Sequence, residues 1–528
     1  MAKLFRSGLI TSTATLMSRI LGLVRDICIA HILGASLSAD VFFFANRIPN
    51  FFRRLFAEGA FSQAFVPVLT EFKENKGEKE VEELISKSFG TLAIVVFLVT
   101  LIGVLGSSVI TIIFGGGWFI DYLNGEPDGR KFIDASNILK ITFPYLFFIS
   151  LTALSGAILN TYGKFAIPAI TPCLLNIAMI LAALFLSPFT SDPNYALAWG
   201  TLLGGIIQLL FQIPFLYKLG KLTLPKLGFS HEGVRKIGKL MIPAIFGVSV
   251  SQINLLINTM LASFLATGAI SYLYYSDRLL EFPIGIFAVA ISTVILPSLS
   301  SVHVKGDNKA FVQTLDWGIK LVLALGIPAM IGMIVLREPI LRVLFLRGEF
   351  GVDDAFYSSL SMIASLVGLW AIMLTRVLVQ GFNAKQDTKT PVKYGVKSMC
   401  SNMLFNLILV LPLEYFYPSY GYIGLALSTS LAAFVNVFLL LHGLKVHQIY
   451  KMSKDTLLFI GKLILSAITM GVIVFFINKY LCGNINDWAA LNTFMSIVYL
   501  AILILSGAVA YFLTLVVLGV RPLSLLRK

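Results

Sequence analysis

Apolar runs of about 18–25 residues recur along the whole chain with short polar breaks between them, and about fourteen can be counted. Each has the length of a helix crossing a hydrocarbon core of roughly 30 Å. The approximate spans are 8–33, 38–70, 89–114, 137–159, 166–187, 193–216, 240–265, 269–300, 315–336, 357–382, 392–413, 421–442, 457–478 and 492–519. Nothing is left over for a soluble catalytic domain. The expected fold class is all-α: a polytopic membrane protein of about 14 transmembrane helices. The second and eighth spans exceed a simple crossing. At 1.5 Å per residue each would reach nearly 50 Å, so they should tilt, protrude or bend near Pro49 and Gly59 in one and Pro283 and Gly285 in the other.

An approximate repeat relates the two halves. The segment from Asp40 through Arg47 to Pro67 and Leu69 echoes Ser271 through Arg278 to Pro297 and Leu299. Asn160 and Pro168 are likewise matched by Asn383 and Pro391. Nearly one offset at corresponding helices favours two six-helix lobes, 1–220 and 221–450, with 451–528 as an additional helix pair. Two such lobes leave a cleft between them, an architecture typical of transporters that rock around a midplane site.

Of the 528 residues 57% are hydrophobic and only 13% are charged, far below the roughly 25% of soluble domains. With a cytoplasmic N-terminus the inside loops hold about 24 Lys and Arg against about six outside, which places both termini in the cytoplasm. The net charge of +14 reflects that bias together with buried arginines, and not nucleic-acid binding. Cys28, Cys173, Cys400 and Cys482 show no CxxC spacing and read as packing residues, so neither a disulfide nor a metal site is expected. The first apolar run is interrupted by Arg19 and Arg25 and lacks a small-residue cleavage site. It reads as a retained helix and not a signal peptide.

Charge changes this picture most. Arg19, Arg25, Asp26, Asp40, Arg47, Arg53, Arg54, Glu58 and Glu71 lie within or beside the first two apolar runs. An Arg at a helix centre costs roughly 2.5–3.5 kcal/mol on insertion scales, so several together imply a polar cavity, and their excess implies anionic contents. Asp40, Arg47 and Arg54, at i, i+7 and i+14, form one stripe that can line a wall. Arg19 and Arg25 are six apart, so their convergence requires unwinding near 18–26, around Gly22. In the second half Asp277 and Glu281 share a face with Arg278 beside them. Guanidinium suits a diphosphate because its planar fork donates bidentate hydrogen bonds and keeps its charge when desolvated. The competing reading is intramembrane ion pairing or snorkelling, and Asn176, Gln252, Asn254 and Asn258 can equally be helix-to-helix bridges. No phosphate-binding loop, paired-histidine metal motif or nucleophile elbow appears, so neither an ATP site nor a cofactor is expected and the chain reads as a non-enzyme.

The stretches Ser18 to Gly22, Arg25-Asp26, and Asp40 through RIPNFFRRLFAEGAFSQAFVP to Pro67 resemble the signature of the MurJ/MviN lipid II flippases, of the multidrug/oligosaccharidyl-lipid/polysaccharide exporter superfamily. The resemblance continues through KITFPY, GAILN, YYSDRLLEFP and KTPVK. It implies movement of undecaprenyl-diphosphate-linked peptidoglycan precursor from the inner to the outer leaflet of the bacterial cytoplasmic membrane by alternating access. The substrate-binding positions it implies are Arg19, Arg25, Asp26, Asp40, Arg53, Glu58, Asp277, Arg278 and Glu281, with Ser18 and Asn176 beside them. It also implies a monomer whose partners are lipid II, the membrane, and a coupling ion or membrane potential. Helices thirteen and fourteen would form a groove for the lipid tail. The alternatives are an exporter of another polyprenyl-linked glycan or of drugs, a membrane-embedded glycan-processing enzyme, and a non-transporting scaffold. An acid- and aromatic-lined cavity would favour cation export, which the Arg excess opposes.

Overall fold

The computed structural model describes residues 2–55, 60–483 and 485–521. Among them the chain is helical apart from turns, one extended segment and an isolated bridge between Arg347 and Phe350. It divides into two compact units, Met1–Ile270 and Ser271–Lys528.

The first unit runs α1 (Ala2–Leu33), α2 (Leu37–Arg53), α3 (Ala60–Asn75), α4 (Glu78–Leu105), α5 (Ser107–Phe114), α6 (Gly116–Asn124), α7 (Arg130–Thr142), α8 (Tyr145–Thr161), α9 (Ala166–Leu181), α10 (Pro193–Lys218) and α11 (Glu232–Ala262). The chain enters the second unit within α12 (Ala269–Pro283), followed by α13 (Val289–Val304), α14 (Asn308–Val335), α15 (Arg337–Leu344), α16 (Val352–Leu366), α17 (Leu369–Asn383), α18 (Lys389–Phe416), α19 (Gly421–Val446), α20 (Lys454–Leu481), α21 (Ile485–Ala490) and α22 (Thr493–Val517). Each of the fourteen expected spans falls on a helix or a broken helix. Eleven of the described helices or helix pairs are long and apolar enough to cross a membrane.

The internal repeat is visible in element order. The 28-residue α4 and 8-residue α5 answer the 28-residue α14 and 8-residue α15, and α10 and α19 are both 26 residues long. Asn160 and Asn383 close the corresponding helices α8 and α17, while Pro168 and Pro391 sit in the first turns of α9 and α18. A proline is tolerated there because a first-turn N–H has no helical partner to lose.

The long eighth span changes geometry where proline demands it: α12 ends at Pro283 and passes through a π turn, Ile284–Ala288, into α13. The wider turn accommodates the ring that clashes with a preceding carbonyl. Pro49, by contrast, lies inside α2 without ending it. The expected unwinding of the first span does not occur. α1 is continuous through Gly22, since a single glycine costs only about 1 kcal/mol in a helix and no proline accompanies it.

Packing around the site is set by small residues. A Cβ on Gly200 or Gly204 of α10 would lie 2.6 Å from side-chain atoms of Ala182 and Leu175, so the small-xxx-small face lets the α9 segment approach closely. On α2, Phe42, Phe43 and Phe44 are buried and fix its rotation. In the second unit, Asp316 of α14 accepts hydrogen bonds from Tyr450 at 2.5 Å and Thr456 at 2.7 Å and pairs with Lys320 at 2.7 Å. Tyr511 of α22 donates to the Ala324 carbonyl at 2.8 Å, so both appended long helices are fastened to α14.

Candidate functional site

Four of the expected residues meet where α1 crosses α9. The Arg25 Nε and Nη2 donate to Asp26 Oδ1 at 3.0 and 2.7 Å, and its Nη1 donates to Asn176 Oδ1 at 3.1 Å. Asn176 Nδ2 in turn donates to the Ser18 carbonyl at 3.1 Å. Asp26 is fully buried, whereas the Arg25 side chain keeps 16% of its surface exposed. A buried carboxylate beside a guanidinium is retained as a pair, because removing one partner strands the other charge. Ser18 contributes through its backbone. Asn176, left open as bridge or ligand, forms a bridge to two positions on α1.

Asn176 also lines a cavity of about 440 Å³ inside the first unit, together with Arg53, Thr152, Asn160, Thr171, Gln208 and Gln212. Arg53 ends α2 and is steadied by Nε donation to Asn50 Oδ1 at 2.9 Å. Gln208 and Gln212, one turn apart on α10, donate to the carbonyl and hydroxyl of Thr171 at 3.1 and 2.9 Å. Ile149, Ala153, Pro168, Pro172 and Leu175 complete the walls, so amides, hydroxyls and one guanidinium able to recognise sugar hydroxyls, peptide amides or phosphate oxygens are set in an apolar surround. The two glutamines escaped the sequence reading. Their signal was an i,i+4 amide pair within an apolar run, a pattern shared with ordinary helix-to-helix glue.

The Asp40, Arg47 and Arg54 stripe is real and faces α11 and the turn after it. Asp40 Oδ2 accepts from Gly268 N–H at 2.7 Å, Arg47 Nη1 donates to Thr259 Oγ1 at 2.9 Å, and Arg54 Nη1 donates to Gln252 Oε1 at 3.3 Å. Thr259 and Gln252 are themselves seven apart, so two antiparallel helices match heptad for heptad. Asp40 is nearly fully buried at the opposite end of α2 from Arg53, about 20 Å away at 1.5 Å per residue. It holds the turn at 263–268. That turn is held twice more: Gly117 N–H donates to Ser263 Oγ at 3.2 Å, and buried Lys131 bridges Asp128 at 2.7 Å and Thr267 at 2.6 Å.

Arg19 is half-buried on α1, with no hydrogen bond or ion pair among the described residues. Glu58 lies outside the described residues. In the second unit Arg278 pairs with the exposed Glu281 at 2.8 Å, and Asp277 is exposed one position earlier on α12. Among the described residues the grouping with metal-ligand spacing is Glu80, Glu83 and His231, near the start of α4. Lys87 already pairs with Glu83. Burial first, and then Lys87, pushes the His231 imidazole below its ordinary range.

A sequence profile described as "Lipid II flippase MurJ" matches residues 29–499. A Vibrio cholerae protein named probable lipid II flippase MurJ is 52% identical over 520 residues, covering 98% of this chain and 97% of its own length. The chain belongs to the MurJ family. A Burkholderia cenocepacia protein named lipid II flippase MurJ is 38% identical over 93% of this chain and 92% of its own. A solved structure titled lipid II flippase MurJ, inward closed conformation, aligns with a TM-score of 0.78 at 30% identity, covering 96% of this chain and 98% of that one. An inward-facing multidrug resistance MATE family transporter of the MOP superfamily aligns with a TM-score of 0.67 at 12% identity, over 83% of this chain and 97% of its own. That likeness is one of fold alone.

Proposed function

We propose that this protein moves lipid II from the inner to the outer leaflet of the bacterial cytoplasmic membrane, as a monomeric carrier with both termini in the cytoplasm. The observation that carries the reading is the linked set Arg25, Asp26 and Asn176, which joins a part-buried guanidinium to a cavity bearing amides and a second guanidinium, Arg53. Its support is the MurJ family membership of the whole chain. In the proposed cycle the diphosphate exchanges onto Arg25 from Asp26 and Asn176. The amides of Asn160, Gln208 and Gln212 meet the sugar and peptide parts, and Arg19, Arg53 and Arg278 add positive charge. Glu281 and Asp277 orient Arg278, Glu58 adds a further acid, and Asp40 secures the turn that leads into α12.

The two repeats then rock in alternating access, and the hairpin of α20 and α22 guides the polyprenyl tail. The chemistry is transport and not bond cleavage, driven by an ion gradient, by membrane potential or by consumption of product. The test is a leaflet-resolved lipid II assay in proteoliposomes, with pH, sodium and potential varied separately. Arg19→Ala, Arg25→Ala and Arg278→Ala should each abolish translocation with membrane insertion intact. Undiminished transport by all three overturns the site.

A further inference from the structure

The segment joining α10 to α11 is extended and fixed in place. Lys226 N–H donates to the Ser86 carbonyl at 3.1 Å, Ser86 Oγ donates to the Leu224 carbonyl at 2.5 Å, and Gly228 N–H donates to Thr91 Oγ1 at 3.1 Å. A Cβ on Gly90 would stand 2.2 Å from the Lys226 carbonyl oxygen, so α4 carries a glycine where the strand-like strap crosses it. Lys221, only 3% exposed, locks the near end through ion pairs with Glu78 and, at 3.4 Å, Glu82. The strap is thus a rigid shelf.

Its outward face is apolar and its flanks are cationic. Leu222, Leu224, Leu227 and Phe229 are exposed, Leu224 by 82%, and Tyr217 stands exposed at the end of α10. No acidic residue occurs between Asp192 and Glu232. Lys218, Lys226, Arg235 and Lys239 are exposed and form no ion pair among the described residues. Depth follows from the helices it crosses. The last charge of α4 before its uncharged apolar stretch is Lys87, that of α11 is Lys239, and α10 reaches its first charge at Lys218. The strap meets α4 between Ser86 and Thr91, at that same boundary. Beside it Phe229, Leu92, Val95 and Met241 line a crevice of about 320 Å³ with Arg235 in its wall, a recess suited to an acyl chain beneath a phosphate.

We infer that residues 217–229 form an interfacial strap lying in the headgroup layer of the lipid bilayer. Its leucines and Phe229 sit among acyl chains while Lys218, Lys226 and Arg235 hold the phosphates of anionic phospholipids. Amphipathic segments with aromatic ends and basic flanks settle at this depth, and basic charge there favours anionic lipid. A protein partner would need acids to meet the same cations and would leave the acyl-sized crevice unexplained.

The test places an environment-sensitive dansyl amino acid at position 224 of the full chain in nanodiscs, made of phosphatidylcholine alone or with phosphatidylglycerol. The expected result is blue-shifted emission, quenched by lipids carrying a nitroxide near the headgroup and resistant to iodide. Native mass spectrometry should show that Lys218→Gln with Lys226→Gln lowers bound phosphatidylglycerol while phosphatidylethanolamine is unchanged. Iodide quenching equal to that of a water-exposed position overturns the inference. So does shielding seen in native membranes but absent from nanodiscs, which would mean a protein covers the strap, and so does an unchanged phosphatidylglycerol preference in the lysine variant. Neither readout depends on lipid II, so failure here is distinguishable from failure of the transport reading.

Discussion

At the residue scale Arg25 is held by geometry that lysine cannot copy, since its fork reaches Asp26 and Asn176 at once. Arg25→Lys should therefore lose translocation nearly as fully as Arg25→Ala. Asn176→Ala removes one hydrogen bond to a charged group, about 1.5–3 kcal/mol, and should slow transport by tenfold or more without preventing insertion. Both are read in the leaflet-resolved assay. His231 makes a pH prediction. Burial and Lys87 lower its pKa in the folded protein, so the unfolded chain takes up the proton first as pH falls. Its contribution to stability is whole above about pH 6.5 and is lost below it. The melting temperature should fall on acidification, and less so in His231→Gln. Charged residues inside apolar runs were legible in the sequence because burying them is so costly. Gln208 and Gln212 were not, because an intramembrane amide is cheap enough to be mere glue.

At the element scale the heptad stripe on α2 was legible and its partner was not. Spacing of seven announces a shared face, but Thr259 lies 212 residues from Arg47, and nothing local in the sequence joins them. The stripe expected to line a wall makes a polar seam with α11. A double-mutant cycle of Arg47→Met and Thr259→Val should show a coupling of about 1 kcal/mol in thermal or denaturant unfolding. Coupling near zero would mean the seam is incidental. Gly90→Ala drives a methyl group into backbone that cannot rotate away, and should destabilise the first unit by about 1–3 kcal/mol. The change of geometry after Pro283 falls where proline and glycine were expected to act, whereas Pro49 leaves α2 unbroken. Unwinding of α1 was the condition for Arg19 and Arg25 to converge, and Arg25 finds its partners beside an unbroken helix.

At the scale of the whole molecule, two echoes of sequence at nearly one offset fall at corresponding helix ends, where proline and asparagine recur in both units. Within the first unit the turn at 263–268 is held by Asp128 and Thr267, whose side chains meet at 2.8 Å. The acid-free stretch before α11 carries a separate consequence for biogenesis. Its lysines leave the ribosome before any of the second unit is made, so the sidedness of the first helices is decided by a nascent chain only half complete. Replacing those lysines should raise the share of molecules inserted upside down, read as the accessibility of a single cysteine from either side of the membrane.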